Sequence, residues 1–397
     1  MTCSLGVRHL FLGRGRVLSP GEIVIGDRGE VLALRSRRGR CADLALFPGL
    51  LNAHAHLDLG PQPRTDSFVS WIEAVRSQRQ GGAAGAAERA GEALGRLLRS
   101  GCTAVGEIDS TGASRAAFAR TATPGRIYGE LIGFDAGEED AERQIQDRMP
   151  QGTRRCPAGL SPHAPYSVSA ALLRAAGRAC RHIQVHVAET EEEVLFLREG
   201  RGPLRDLLES LERLPAGFAP PRATAVELLR GTGLLRAGVT LVHCQHIGEG
   251  DAERIAASGA AIAVCPGTID WFGRDPPPVR EWLDRGIRVG IGTDSLASNE
   301  ALDMLRELRL AARLWPSIDP SNLLRMATEG SAAAIGRPGL GVLRVGGSAD
   351  FFAVRALDSP KETAESLVHG EVEIQATWVA GKPRYELGAG RRSGPVG

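Results

Sequence analysis

The sequence predicts an α/β protein: a (β/α)8 TIM barrel over residues 49–336, with a small β-sandwich built from both chain ends, 1–48 and 337–397. Two observations predict it. Eight apolar, strand-like runs alternate with Ala-, Leu- and Arg-rich helical stretches through the middle of the chain. At both ends the pattern changes to short β-like segments separated by glycines and charged turns. A doubly wound open sheet shares the alternation, but no GxGxxG opens a helix after a first strand.

Taken in order, VRHLFLG, GEIVIGD and VLALRSR read as the first strands. The barrel runs follow: ALFPGLLNAHAH to His56, TAVGEID (103–109), RIYGELIG (126–133), the segment around AGLSPHAP (158–165), HIQVHVAE (182–189), VTLVHC (239–244), AAIAVC (260–265) and IRVGIGTD (287–294). Between them lie AAERAGEALGRLLRSG, ALLRAAGRACR, ATAVELLRGTGLLRAG, DAERIAASG, PVREWLDRG and EALDMLRELRLAARLW, read as helices. Several are followed by the glycine that a C-cap favours. GVLRVGGSADFFAVRA and VEIQATWVAGKPRYELG return to β character, and the tail GAGRRSGPVG is expected to fray.

Composition narrows the function classes. With 43% apolar and 24% charged residues, the 397-residue chain can build a sizeable core. Lys+Arg is 48 and Asp+Glu 47, a balance that argues against a nucleic-acid or membrane-surface partner. No apolar run of about 18 residues suggests a membrane span, and the N-terminus does not read as a signal peptide. Seven widely spaced cysteines without a CxxC disfavour a disulfide scaffold or a cysteine zinc finger, so a reducing cytoplasm is the expected location. Only Lys361 and Lys382 are lysines. Any chemistry that needs a lysine must therefore use one of two residues near the C-terminus.

The strongest chemical signal is LLNAHAHLDLG. His54 and His56 are two apart, so on a strand both face the same side. At the C-terminal end of a barrel strand that side is the barrel mouth, where active sites sit. Two imidazoles so placed can share a borderline metal such as zinc or iron. Three later runs also end in ionisable residues: HVAET with His186 and Glu189, LVHC with His243, and GIGTD with Asp294. Such groups are costly to bury after apolar stretches unless they have a task. Four strands delivering them to one rim point to a metal site. Cys244 should point away from His243 and pack. Trp71, in the long 60–80 segment, fits a lid or the core equally. Trp271, Phe272 and Arg274, in CPGTIDWFGR, could stack on and hydrogen-bond a heteroaromatic ligand. HExxH, HxE with PCxxC, and GxSxG are all absent, which removes zincin, cytidine-deaminase-fold and nucleophile-elbow chemistry.

LFPGLLNAHAHLDLG, GLSPHAPYSVS, HVAETEEE, LVHCQHIG and GIGTDSLASNEALDMLRELR resemble the amidohydrolase superfamily, in its nucleobase and nucleoside deaminase and chlorohydrolase-like branch. GIGTDSLASN, YGELIGF and WIEAVRSQR are most similar to the aminofutalosine deaminases. The resemblance implies that His54, His56, His186 and Asp294 bind one divalent metal, Zn2+ first and Fe2+ as the alternative. It implies that Glu189 shuttles a proton to a ring nitrogen, that His243 works with Asp294 on the activated water, and that His163 and Ser298 contact substrate. Binuclear relatives use a carboxylated lysine on the fourth strand; GLSPHAPYSVS has none, so a mononuclear site is expected. Many relatives carry an Asn-containing loop where this chain has GTIDWFG, a departure that leaves the substrate open.

The expected activity is hydrolytic deamination of an adenine-type nucleoside, with 6-aminodeoxyfutalosine, of the menaquinone pathway, as the leading candidate. The partner is a small heteroaromatic molecule, with no nucleic acid and no membrane, and a homodimer is compatible with the family. Alternatives within enzymes are deamination of guanine, S-adenosylhomocysteine or methylthioadenosine, and displacement of chloride from a triazine. A non-catalytic barrel scaffold would be expected to have damaged metal positions, and here all four match.

Overall fold

The computed structural model describes residues 2–80, 85–370 and 372–388. Residues 81–84 of the Gly/Ala tract and the tail beyond Gly388 lie outside them. The first five strands are β1 (Cys3–Gly13), β2 (Arg16–Leu18), β3 (Gly21–Ile25), β4 (Val31–Ser36) and β5 (Ala42–Pro48). Eight more follow: β6 (Leu50–Ala55), β7 (Cys102–Asp109), β8 (Gly125–Leu131), β9 (Ala158–Pro162), β10 (Ile183–Val187), β11 (Val239–His243), β12 (Ala261–Val264) and β13 (Arg288–Ile291). The last three are β14 (Phe351–Arg355), β15 (Ala376–Val379) and β16 (Lys382–Glu386).

The strands from both chain ends form one hydrogen-bonded path, β16-β15-β14-β5-β1-β3-β4, with β2 on β1. Alternation along these strands gives the sheet two apolar faces. Phe351 and Ala353 join Val7, Leu10, Ile23 and Leu46 in a core of the terminal sheet. Their neighbours Phe352 and Val354 pack with Ala45 and Phe47 into the core of the barrel. Phe47 stacks between Phe11 and Phe352, with centroids at 3.9 and 5.4 Å.

The run ALFPGLLNAHAH is not one strand. It divides at Gly49, where a Cβ would overlap the Thr103 side chain. The backbone therefore passes from the terminal sheet to β6 at a point only glycine can occupy. Similarly, EALDMLRELR becomes helical only at Met304, because Asp303 caps the helix by accepting from Leu305 N and Arg306 N. The other expected helices form, among them Ala86–Arg99, which buries Ala90, Leu94 and Leu97, and Ala225–Gly231, which starts with a Thr224/Glu227 capping box.

Strands β6 to β13 lie side by side in chain order and pair in parallel. A parallel bridge between Ala55 and Asp294 joins the two ends of that order. There His54 O accepts from Asp294 N at 3.1 Å, and Asp294 O accepts from His56 N at 3.1 Å. Asn52 reinforces the seam: its Oδ1 accepts from Thr293 N, and its Nδ2 donates to Thr293 Oγ1 at 2.7 Å. All seven cysteines are free thiols. Among the described residues no helix is long and apolar enough to cross a membrane.

Candidate active site

His54 and His56 leave β6 on the barrel's inner side, as the two-residue period requires. His186 comes from β10, and Asp294 lies just past β13. One donor atom from each of these four buried residues lies within 4.8 Å of the others. His54 Nε2 is 3.2 Å from His186 Nε2 and 3.5 Å from Asp294 Oδ1. His56 Nε2 is 3.5 Å from His186 Nε2 and 3.8 Å from Asp294 Oδ1. For metal–ligand bonds of about 2.0–2.1 Å in tetrahedral geometry, neighbouring ligand atoms lie about 3.3–3.4 Å apart. The donors therefore have the spacing and chemistry to hold one borderline divalent cation.

The surroundings orient each donor. Gln184 Nε2 donates to Ala53 O at 2.8 Å, which fixes its Oε1 as acceptor for His54 Nδ1, also at 2.8 Å. His186 Nδ1 donates to His163 O at 2.8 Å. Both rings thus carry the proton on Nδ1 and offer the Nε2 lone pair. Asp294 Oδ2 accepts from Ser298 Oγ at 2.6 Å and Thr268 Oγ1 at 3.1 Å, leaving Oδ1 for the imidazoles. Burial pushes the His56 and His186 imidazoles down, and the neighbouring His54 adds to it, so they are neutral and ready to coordinate. Burial raises Asp294, but the close approach of His54 and the surrounding histidines outweigh that and hold the carboxyl well below the usual range.

Beside this set stand Glu189 and His243, with Glu189 Oε2 3.8 Å from His243 Nε2. Arg274 Nη1 reaches Glu189 Oε1 at 3.2 Å. Burial works against ionisation of Glu189, yet His243, Arg274 and His186 more than compensate and lower its pKa. Burial takes His243 down to about 4. The strand ends that carry these groups are bent: Ala188, His243, Cys244 and Asp294 have φ of 48°, 70°, 53° and 56°. Non-glycine residues in this region carry a cost of about 1–3 kcal/mol each, which the rest of the fold must offset, and they concentrate at functional sites.

His56, His163, His186, Glu189, His243 and Asp294 all line one cavity of about 590 Å³. The helix Phe68–Gln80 walls one side; Trp71 lines the cavity and donates Nε1–H to Ala297 O at 2.7 Å. The remaining residues picked from the sequence are placed differently. His163 Nδ1 shares a 2.7 Å hydrogen bond with Ser167 Oγ and presents its ring to the cavity. Ser298 sits behind Asp294 as a brace. Arg274 binds Glu189. Trp271 lies under the Arg64 guanidinium, 4.7 Å away, and is not among the cavity residues. Its neighbour Phe272 instead meets Phe68 and Trp71, at 6.2 and 5.7 Å. Gln184 and Thr268 are supporting residues that the sequence reading did not single out. The signal for Gln184 was present: it lies two residues before His186, on the same face. Gln184→Leu, which leaves His54 Nδ1 and Ala53 O without partners, is expected to weaken cation affinity about 10–100-fold. Competition with a chromogenic chelator measures this.

Residues 45–384 match the amidohydrolase family. The chain is 32% identical over 383 residues to aminodeoxyfutalosine deaminase of Deinococcus radiodurans, covering 85% of each. It is 28% identical over 423 residues to the 5-methylthioadenosine/S-adenosylhomocysteine deaminase of Nitratidesulfovibrio vulgaris, covering 94% of this chain and 89% of that one. Its fold resembles an adenosine deaminase from Xanthomonas campestris solved with bound zinc, with a TM-score of 0.80 at 22% identity over 96% and 92% of the two chains. The seamed barrel, its two-ended second sheet and the four-donor cluster agree with these matches: the chain belongs to the amidohydrolase family.

Proposed function

We propose that the protein is a hydrolytic deaminase of adenine nucleosides, dependent on one divalent cation, Zn2+ in the first instance, held by His54, His56, His186 and Asp294. The observation that carries this reading is the four-donor cluster, three of whose members, His56, His186 and Asp294, line the same cavity as the Glu189–His243 pair. The 85% coverage of a curated nucleoside deaminase supports it. When bound, the cation supplies Lewis-acid activation of water, bringing its pKa towards about 7.

The residues of the chain do the rest. His243, neutral, and the Asp294 carboxylate take up the first proton of the attacking water. Glu189, ionised at rest beside Arg274, takes that proton over and passes it to the ring nitrogen next to the attacked carbon, and the water's second proton remains for the amine. That nitrogen's gain lets the carbon accept the oxygen, and a second proton transfer releases the exocyclic amine. One water is consumed, one ammonia leaves, and the amine-bearing carbon becomes a carbonyl. The buried, largely apolar setting of these groups strengthens each interaction.

The cavity lining also supports a reading of the substrate's other end. Leu204, Leu207, Leu208 and Leu211 form an apolar wall, and four arginines line the same space. Arg79 pairs with Glu130, Arg143 with Asp140, and Arg213 with Asp135. Among the described residues Arg76 has no carboxylate partner. This arrangement suits a nucleoside with an apolar 5′ arm ending in a carboxylate, which favours 6-aminodeoxyfutalosine over methylthioadenosine. Arg76→Ala is expected to lower kcat/KM about 10–100-fold for the carboxylate-bearing substrate, and by less than about threefold for methylthioadenosine. The test of the whole reading is a panel of adenine nucleosides with cation-loaded protein, following ammonia and the ultraviolet shift from adenine to hypoxanthine. No turnover on any of them sinks it.

A further inference from the structure

The barrel has a second cavity, of about 390 Å³, among residues near the N-terminal ends of β8 and β9 and the 336–350 segment. It contains none of the residues discussed above. Arg154, Arg155, Arg337 and Arg344 line it, and Asp350 is the one carboxylate among the lining residues.

The guanidinium groups that are engaged here bind neutral oxygens. Arg337 Nη1 donates to Gly125 O at 2.9 Å and Arg155 O at 2.5 Å. Arg155 Nε donates to Ala122 O at 2.9 Å. Behind them the buried Arg126 donates to Ile335 O at 2.9 Å and Ala158 O at 2.6 Å. Arg155 Nη2 is buried with no hydrogen-bond partner, and so is Asp350 Oδ2; no ion pair joins the two residues. Asp350 Oδ1 is already taken by Ser348 Oγ and Ala380 N, at 2.9 and 2.7 Å. Arg154 and Arg344 stand exposed at the rim, with no ion pair among the described residues. Burial, with Arg126 and Arg155 close by, outweighs the pull of the Asp350 carboxylate and takes the Arg337 guanidinium below its ordinary range.

Carbonyl dipoles satisfy donors but carry no negative charge, and Asp350, the one carboxylate near Arg155 and Arg337, stands against four guanidinium groups. Partly buried charge without a counter-charge is costly. Arg155 Nη2 adds a buried donor beside a cavity of this size. The planar fork of arginine matches phosphate oxygens two at a time. Gly336 and Gly346, at φ of 64° and 77°, shape turns in the wall that a side chain would strain. We infer that this cavity is a second binding site, for a small phosphate-bearing anion, with Arg155, Arg337, Arg154 and Arg344 as its donors.

The experiment is calorimetric titration of full-length, cation-loaded protein with inorganic phosphate and with pyrophosphate, at ionic strength held constant with chloride. Saturable binding of one anion per chain is expected, with pyrophosphate the tighter. The double variant Arg154→Gln/Arg344→Gln, both exposed and outside the catalytic machinery, should weaken binding at least about tenfold and leave nucleoside deamination unchanged. Arg76→Ala should leave anion binding intact. The inference is overturned by the absence of saturable binding up to about 20 mM anion. It is equally overturned by binding that survives the double variant, or that disappears in Arg76→Ala and so belongs to the catalytic cavity.

Discussion

Asp294→Ala protein is expected to come through purification with about a tenth or less of the wild-type cation content, and with turnover reduced about 10⁴-fold or more. Asp294 is the only anionic donor in the cluster, so without it a dication faces three neutral imidazoles. Ser298 and Thr268 lose their shared acceptor in the same step. The seam hydrogen bonds made by the Asp294 backbone do not involve its side chain and should persist. Far-ultraviolet circular dichroism should therefore remain close to wild type while elemental analysis shows the loss. Full cation content in a folded Asp294→Ala protein would remove Asp294 from the donor set.

Glu189→Gln is the counterpart. It keeps the side chain's size and removes its capacity to carry a proton. Glu189 Oε2 lies 3.8 Å from His243 Nε2 and its carboxylate pairs with Arg274 at 3.2 Å, which is the poise of a group that takes a proton and gives it on. Cation content should stay at the wild-type level, while kcat falls about 10²–10⁴-fold with KM little changed. Retention of near-normal rates would show that the proton travels by another route. Together the two variants separate the loss of the ion from the loss of the shuttle.

Much of this site was legible in the sequence because its residues obey local rules. His54 and His56 share a face through the strand period, and His186, His243 and Asp294 each close an apolar run, where an ionisable group is conspicuous. The eight-run alternation gave the barrel for the same reason: parallel strands buried on both faces read as continuous apolar stretches. What was not legible depends on contacts between distant segments. Gln184 looks like a polar interruption in a strand, and only the approach of β6 shows that it orients His54. Trp271 and Phe272 are adjacent and both read as aromatic partners for a ligand, and only the fold shows that Trp271 lies under Arg64 while Phe272 meets Trp71. Ser298 was read as a substrate contact from the family resemblance and Arg274 from its loop, and neither reading foretold their hydrogen bonds to Asp294 and Glu189. The division at Gly49 follows from a single close approach to Thr103, which no local pattern encodes.

The seam between β6 and β13 has a consequence for how the enzyme comes into being. During synthesis, His54 and His56 emerge some 240 residues before Asp294. Until that last strand has been translated and clasped to the first, no pocket exists in which an ion and a nucleoside could meet. A half-made chain carries His54, His56 and His186 but not Asp294, so the four-donor cluster is complete only once the ring has closed.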